Sequence, residues 1–326
     1  MKAIVYQKYG SPDVLELKET EKPSPKDNEV LVKVYAASIN DWDWGLMQGT
    51  PFVNRMLNGL LRPKRKVLGS DIAGRIEAVG KKVQNFKPGD EVYGDLSNFW
   101  GGFAEYVCAR ENLLALKPSE MTFEQAAAIP QAAMLAVQGL LDKGRLQKGQ
   151  KLLINGAGGG VGTFGVQIAK LYVAEITGVD NPGKLEMMKS MGFDNVIDYT
   201  KEDFTKNSRR YDLILDVKTN RSIFSYTRAL NPKGIYVTVG GSTFRLMQAF
   251  ILGPLIRIFG GKHIKIVLLK PNKDLSYINE LFAADKIKPV IDGPYKLGET
   301  RKAFGLFGKG DHKGKVVITI DQNNKM

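Results

Sequence analysis

The stretch Leu152-Leu153-Ile154-Asn155-Gly156-Ala157-Gly158-Gly159-Gly160-Val161-Gly162 reads as an apolar strand running into a glycine-rich turn. The segment Thr163-Phe164-Gly165-Val166-Gln167-Ile168-Ala169-Lys170 continues it as a helix. A pyrophosphate needs that order of parts. Residues without side chains let the backbone approach the phosphates, and the free N–H groups at the helix start meet their charge. Gly156, Gly159 and Gly162 are three apart, and Gly156-x-Gly158 lies in the same turn. A glycine motif alone is weak evidence; between a strand and a helix it marks a dinucleotide site. The candidate cofactor-binding residues of this turn are Gly156, Ala157, Gly158, Gly159, Gly160, Val161 and Gly162.

Outward from the turn, strand and helix patterns alternate. Strands are predicted at 151–155, 175–179, 196–199, 213–217, 234–239 and 263–269, with helices at 161–171, 183–191, 221–230 and 244–259. Six strands joined by crossovers imply a doubly wound parallel sheet with helices on both faces. The second strand ends at Val179-Asp180. An acidic residue there holds the ribose 2′-hydroxyl of NAD and repels a 2′-phosphate. The next residues, Asn181-Pro182-Gly183-Lys184, offer a cation that would receive that phosphate. Asp180 and Lys184 therefore point to opposite cofactors, and NADH against NADPH stays open. Val239-Gly240-Gly241 closes the fifth strand, where the crevice opens, and predicts close backbone approach to the nicotinamide.

The first third has a different texture: short β-branched strands separated by Gly and Pro, such as Val30-Leu31-Val32-Lys33-Val34, 72–80, 91–93 and 103–107. That pattern predicts a compact barrel or rolled sheet. Thr122-Phe123-Glu124-Gln125 is a helix start, and the Ala-rich segment to Lys143 is helical. The tail predicts helices near 275–284 and 299–307 and a last strand, 315–320, that pairs back onto the first domain. The expected division is a β-rich domain of 1–121 with 272–326 and a dinucleotide domain of 122–271.

The chain has 326 residues, 43% hydrophobic and 25% charged, with one cysteine and two histidines. This is the composition of a two-domain globular protein. Cys108 forms no internal disulfide, and clustered Cys/His metal chemistry is nearly excluded. The net charge of +13 attracts polyanions: nucleic acid, acidic lipid or phosphorylated cofactors. Its densest knot, Arg62-Pro63-Lys64-Arg65-Lys66, reads as a solvated loop. The most apolar stretch, 244–259, is too short to span a bilayer comfortably, and carries Arg245, Arg257 and Gly253-Pro254. It is expected to be a buried or interface helix. No targeting segment is visible, so the expected location is cytoplasmic.

Taken together, these motifs resemble the medium-chain dehydrogenase/reductase superfamily, in its zinc-independent, quinone-oxidoreductase-like branch. The resemblance rests on Ala37-Ser38-Ile39-Asn40 with Asp43-Trp44, Gly69-Ser70-Asp71-x-x-Gly74, and Phe86 to Gly94. Gly101 to Tyr106, Ala127-Ala128-Ile129-Pro130, the glycine turn, Val196-Ile197-Asp198-Tyr199 and Gly314-Lys315-Val316-Val317-Ile318 complete it. It implies a Rossmann domain inserted into a GroES-like β-rich catalytic domain, an active site in the cleft, and a homodimer. Tyr199 and Lys315 join the cofactor-binding set on this basis. Zinc-using relatives place a cysteine at Asn40 and a His-Glu pair at Ser70-Asp71, and neither Asn nor Ser is a good zinc ligand. Without a zinc Lewis acid alcohol oxidation is hard. The resemblance therefore points to hydride transfer from NAD(P)H to a quinone or an α,β-unsaturated carbonyl, with no metal. Leu135, Thr219 and Gly45 depart from the branch pattern.

Asn40, Asp43 and Tyr93 are the candidate catalytic residues; capping and packing are their structural alternatives. Trp42 and Trp44 are candidates to wall an aromatic slot. The 44–55 segment, the loop after Gly241 and the 244–259 helix are expected to shape the substrate pocket. Two competing readings stand beside the reductase: a zinc-free alcohol dehydrogenase, and a non-catalytic dinucleotide-sensing or nucleic-acid-binding protein on the same fold.

Overall fold

The glycine-rich stretch opens the first strand of a six-stranded, wholly parallel sheet. In the computed structural model, which describes residues 1–97 and 99–321, its strands are Lys151–Asn155, Glu175–Asp180, Asn195–Asp198, Tyr211–Asp216, Leu230–Thr238 and His263–Ile266. Their spatial order is third, second, first, fourth, fifth, sixth. Central strands read as unbroken apolar runs because helices cover both faces: Leu152, Leu153, Ile154, Ile214 and Leu215 are fully buried. This sheet belongs to a unit made of Ala132–Lys270 and Glu280–Pro289.

The elements match the sequence pattern with shifts at their ends. The second strand runs on to Asp180, and the sixth stops at Ile266, although the Val267 N–H still donates to Thr238 O at 2.9 Å. The segment expected as one helix over 183–191 is a 3-10 turn, Pro182–Lys184, followed by Leu185–Ser190. The apolar helix, expected to be buried or at an interface, is Thr243–Gly260 and is covered on one side only. Ala249 and Gly253 face inward, while Phe244, Met247, Ile251, Leu255 and Ile258 are exposed.

The other unit comprises Met1–Gln131, Pro271–Asn279 and Val290–Met326. The capped helix Phe123–Ala127 belongs to it, since this helix packs against the strands of the β-rich part. Thr122 Oγ1 accepts from the Gln125 N–H and Gln125 Oε1 from the Thr122 N–H, a reciprocal cap. The long strand Glu29–Ser38 organises the sheet. Its first half pairs antiparallel with Tyr106–Arg110, and its end pairs with the tail strand Lys315–Thr319. Asp71–Val79 lies along its other side and passes the sheet on to Glu91–Asp95. The strand expected at 103–107 begins later, at Tyr106. Phe103 and Glu105 instead exchange backbone hydrogen bonds with Ile4 and Lys2 of the first strand, Lys2–Val5.

The tail completes this unit's core. Phe304, from helix Thr300–Lys309, is fully buried and meets Phe103 edge-on, 5.7 Å between ring centroids. Phe304→Ala should cost about 3–5 kcal/mol of this unit's stability. Trp42, Trp44 and Trp100 all lie in the same unit, so tryptophan fluorescence in a urea titration reads it directly. An unchanged transition would show that the tail helix is not part of that core.

Candidate functional site

Two constellations carry the chemistry, one in each unit. In the parallel sheet the first and fourth strands are neighbours, so the order reverses between them, and the carboxyl ends of both strands open a crevice at that point. Each of these strands ends on a buried polar residue. Asn155 Nδ2 donates to Asp216 Oδ1 at 2.8 Å. The same oxygen accepts from the Lys218 and Thr219 N–H groups at 3.0 Å, and Oδ2 accepts from the Tyr236 hydroxyl at 2.7 Å. Four donors thus hold one buried carboxylate at the floor of the crevice.

The glycine turn rises from Asn155. The Gly156 and Ala157 N–H groups donate back to Val179 O at 2.9 and 3.1 Å. Helix Gly160–Lys170 then starts with no side-chain cap. The first N–H groups of a helix have no partner within it, so Gly160, Val161 and Gly162 present donors at the positive end of the dipole. The glycines differ in what they permit. A Cβ on Gly162 would lie 2.4 Å from Ala157 O, so this position exists to let helix and turn touch. A Cβ on Gly159 would meet only Gly156 O, at 3.6 Å, and faces open space. The cradle fits a diphosphate.

Asp180 and Lys184 are both buried, and they face each other. Lys184 Nζ stands 3.4 Å from Asp180 Oδ1. Asp180 Oδ2 accepts from the Gly158 N–H and Oδ1 from the Asn181 N–H, each at 2.8 Å. Lys184 also packs its stem against Gly158. Tyr199 is exposed beside them, its N–H on Asp180 O at 3.3 Å. At the end of the fifth strand, Gly240 is open on its Cβ side, and its carbonyl accepts from the Thr219 and Thr238 hydroxyls. Thr219 sits at φ +42° and is held there by its bond to Gly240 O and by Asp216. Val239 N–H donates to Asp216 O at 3.0 Å, and Gly241 packs against Lys218 O.

The second constellation lies inside the β-rich unit. Lys315 is 4% exposed, and its ammonium donates to Asn40 Oδ1 and, at 3.2 Å, to Ile39 O. It stands 3.4 Å from Asp71 Oδ2. Asn40 Nδ2 donates to Ser70 Oγ at 3.1 Å. Both polar ends of the Asn40 amide are thus held. Gly314, at φ +71° and pressed against Val290 O, turns the chain that delivers Lys315 into this interior.

Asp43 is fully buried and closes the helix start: Oδ2 accepts from the Asn40 N–H at 3.0 Å and Oδ1 from the Gly69 N–H at 2.9 Å. Burial pushes it up to about 7, against those two donors. Tyr93 is also fully buried, its hydroxyl donating to Asn279 Oδ1, and burial raises it further above the usual phenol range. Burial likewise pushes the Cys108 thiol up to about 11, away from the reactive thiolate. His312 stacks on Phe307, ring centroids 4.7 Å apart.

These donors do not suit zinc. Where a thiolate and an imidazole would bind, the chain has a neutral amide and a hydroxyl, with an ammonium already on the amide oxygen. Among the described residues, no group of three His, Cys, Asp or Glu comes together to hold a metal.

The structure brings Asn40 and Lys315 together and sets Asp43 and Tyr93 into separate bonds. Sequence reasoning missed the Asn155–Asp216 floor and the Asp71–Lys315 pair. The signal for the first was there: two strands that should be wholly apolar end in Asn and Asp.

Asp95 lies opposite Asp71 on the neighbouring strand. Its Oδ1 accepts from the Ser97 N–H and hydroxyl, while Oδ2 is buried with no hydrogen-bond partner among the described residues. Burial, then the neighbouring Asp71 charge, raise it to about 7. The folded state therefore binds this proton more tightly than the unfolded chain, where Asp titrates near about 3.9. The resulting stability is full below that value and is lost as pH rises through 7. Asp95→Asn keeps the Ser97 bonds and cannot ionise. At about pH 8 it should be more stable than the wild type by at least about 1.4 kcal/mol, one pKa unit's worth, with the gap closing toward about pH 4. A gap that does not change with pH would remove Asp95 as the titrating group.

Comparison with known proteins supplies a family. Residues 26–119 match the alcohol dehydrogenase GroES-like domain, and residues 191–318 match the family described as zinc-binding dehydrogenase. The glycine turn lies between the two matches. A 2-methylene-furan-3-one reductase of Solanum lycopersicum is 33% identical over 98% of this chain and 79% of its own length. An NADPH-dependent alkenal/one oxidoreductase of Arabidopsis thaliana is 32% identical over the same shares. The structure of a quinone oxidoreductase from Coxiella burnetii superposes with a TM-score of 0.86 at 29% identity, covering 98% of this chain and 99% of that one.

Proposed function

The chain belongs to the medium-chain dehydrogenase/reductase superfamily, in its quinone-oxidoreductase-like branch, and on that premise we propose that it is an NADPH-dependent, metal-free reductase of quinones or α,β-unsaturated carbonyls. The observation that carries this reading is the pairing of an open, uncapped phosphate cradle with a family metal position occupied by Asn40, Ser70 and the Lys315 ammonium. A reduced nicotinamide, when bound, supplies a hydride to the electron-poor carbon of the acceptor.

The protein's part is to bind, to orient and to keep its own polar groups still. The N–H groups of Gly160, Val161 and Gly162 take the diphosphate. The Asp216 network fixes the strand ends on which the Gly156 turn and the Gly240 turn are mounted. Asn40, held from both ends of its amide, offers a fixed polar surface rather than a mobile acid. Asp43 is a cap and Tyr93 is bonded to Asn279, so the proton that follows the hydride comes from solvent. Orientation alone can supply several kcal/mol of rate enhancement, roughly 7–11 at the upper end. In this reading the β-rich unit carries the acceptor site and the parallel-sheet unit the dinucleotide site.

The test is NADPH oxidation against a panel of quinones and enones, with and without a strong chelator. Activity should survive chelation. Gly159→Asp, which has room for its side chain, should abolish turnover and NADPH binding while the fold persists. Gly162 is unsuitable for this test, because any side chain there strikes the turn itself. Activity lost on chelation and restored by zinc would overturn the metal-free assignment.

Cofactor choice follows from the Asp180–Lys184 pair. A carboxylate neutralised by an ammonium and two N–H groups puts little net charge before a 2′-phosphate. The loop at 181–184 and the exposed Tyr199 are left to receive it. The wild type should prefer NADPH. Asp180→Ser should weaken both cofactors alike, by loosening Gly158, with the NADH/NADPH ratio staying within about twofold, or roughly 0.4 kcal/mol. Isothermal titration with each cofactor decides it. A variant that loses NADH and gains NADPH would place Asp180 on the ribose instead.

A further inference from the structure

Helix Thr243–Gly260 is apolar on both faces. Its inner face, with Ala249, Gly253, Leu252 and Ile256, packs onto the core of the parallel sheet. Its outer face repeats apolar residues at helical spacing, Phe244, Met247, Ile251, Leu255 and Ile258, and Phe250 and Phe259 widen it. These are not grazing exposures: Phe244 is 70% exposed, Phe250 75%, Ile258 73% and Phe259 85%. A helix that is hydrophobic all round is normally enclosed. An exposed apolar stripe of this length marks an interaction surface.

Charge identifies what it meets. Between Asp216 and Asp274 the chain carries ten lysines and arginines and no acidic residue. Arg245 lies in the first turn of the helix and Arg257 in its last, and Lys262 and Lys265 follow directly. Arg257 and Lys265 are exposed. A second copy of this face would set cations against cations, which disfavours self-pairing. Nucleic acid would satisfy the cations but leave the Phe, Ile and Leu stripe against polar phosphates. A bilayer of anionic lipid satisfies both, with apolar side chains below the headgroups and cations among them. No helix among the described residues is long and apolar enough to cross a membrane, so contact would be from the surface.

The other unit shows the same combination independently. In and after helix Phe52–Asn58, residues Phe52, Met56, Leu57, Leu60 and Leu61 are exposed. The basic knot Arg62-Pro63-Lys64-Arg65-Lys66 comes next in sequence.

We propose that the outer face of helix Thr243–Gly260 is a docking surface for an anionic membrane, and that the protein binds such membranes peripherally through it. The test is flotation of the full chain with phosphatidylcholine vesicles and with vesicles containing phosphatidylglycerol. Recovery with the anionic vesicles should be at least about tenfold higher, and should fall as salt is raised. A variant carrying Phe244→Ser, Ile251→Ser and Ile258→Ser should lose about fivefold or more of that binding, as should Arg257→Glu with Lys265→Glu. Circular dichroism and the melting temperature verify that each variant is folded. Equal recovery on neutral vesicles, binding unchanged in folded variants, or retention on RNA without vesicle binding would each overturn the proposal. So would light scattering showing that the serine variant converts a dimer to a monomer, which would assign the face to a second copy.

Discussion

A lysine ammonium taken out of water must be met by acceptors, and the β-rich unit is arranged around one such group. Lys315 lies almost at the end of the chain, yet its partners, Ile39 O, Asn40 and Asp71, come from its first quarter. A buried ion pair contributes little net stability compared with a well-packed apolar pair, but losing one partner costs roughly 3–5 kcal/mol, because a charge is left unpaired. The pair therefore acts on register more than on total stability. A tail strand shifted by one residue would turn Lys315 to the opposite face of the sheet and leave Asp71 buried alone. The observed pairing, Val317 against Ser38 and Ile291 against Lys315, is the one that brings the two charges together. A unit whose sequence is interrupted by a whole second unit needs such a device, since its two parts meet only after the intervening chain has been made.

The parallel sheet solves a related problem with a neutral donor set. Where strand order reverses, two carboxyl ends diverge, and their backbone groups would be left pointing into a crevice. Asp216 collects the loose donors: an amide, a phenol and two N–H groups. The cost of this arrangement is local. Thr219 is β-branched and held at positive φ, a conformation that disfavours L-residues by roughly 1–2 kcal/mol. Its hydroxyl donates to Gly240 O, beside the Thr238 hydroxyl on the same carbonyl, which offsets that strain and ties the fourth and fifth strands together at their ends. Thr219 thus exchanges backbone freedom for a side-chain hydrogen bond.

The parts of the fold written in periodicity were legible in the sequence. Strand–turn–helix with glycines at 156, 159 and 162 leads to a parallel sheet whatever the side chains elsewhere, and the alternating apolar strands of the first third lead to a rolled antiparallel sheet. Strand ends were legible only to within a residue or more, as at Asp180 and Ile266, because hydrogen bonding continues past the last residue with regular pattern. The helix at 244–259, expected to be buried or at an interface, is covered on one side only, because hydrophobicity specifies only that a surface prefers to be covered, not that the same chain covers it. The site was less legible still. Asn40, Asp43, Tyr93 and Lys315 were singled out by position, but the surroundings of each are fixed by its hydrogen-bond partners. Ser70, Gly69 and Asp71 stood out as a motif and Asn279 did not, but nothing in the sequence joins any of them to the residue it holds.

Asp180 and Lys184 show the same limit most sharply. Read one at a time, the first favours NADH and the second NADPH, and no weighting of the two signals settles the matter. Read as a pair they cease to be two signals. Their separation of four residues, across the turn from the strand end into the next helix, places the ammonium 3.4 Å from the carboxylate, with both buried. In that setting the carboxylate's oxygens are held by Lys184 and by the Gly158 and Asn181 N–H groups, and its electrostatic effect beyond the pair is that of a dipole rather than a charge. A dipole's field falls off faster with distance than a charge's. The discrimination a ribose-binding aspartate exercises depends on a full negative charge standing next to the 2′-position. On the proposed reading, Asp180 is then a clamp on the glycine turn, and the 2′-position is left to whatever stays exposed around it.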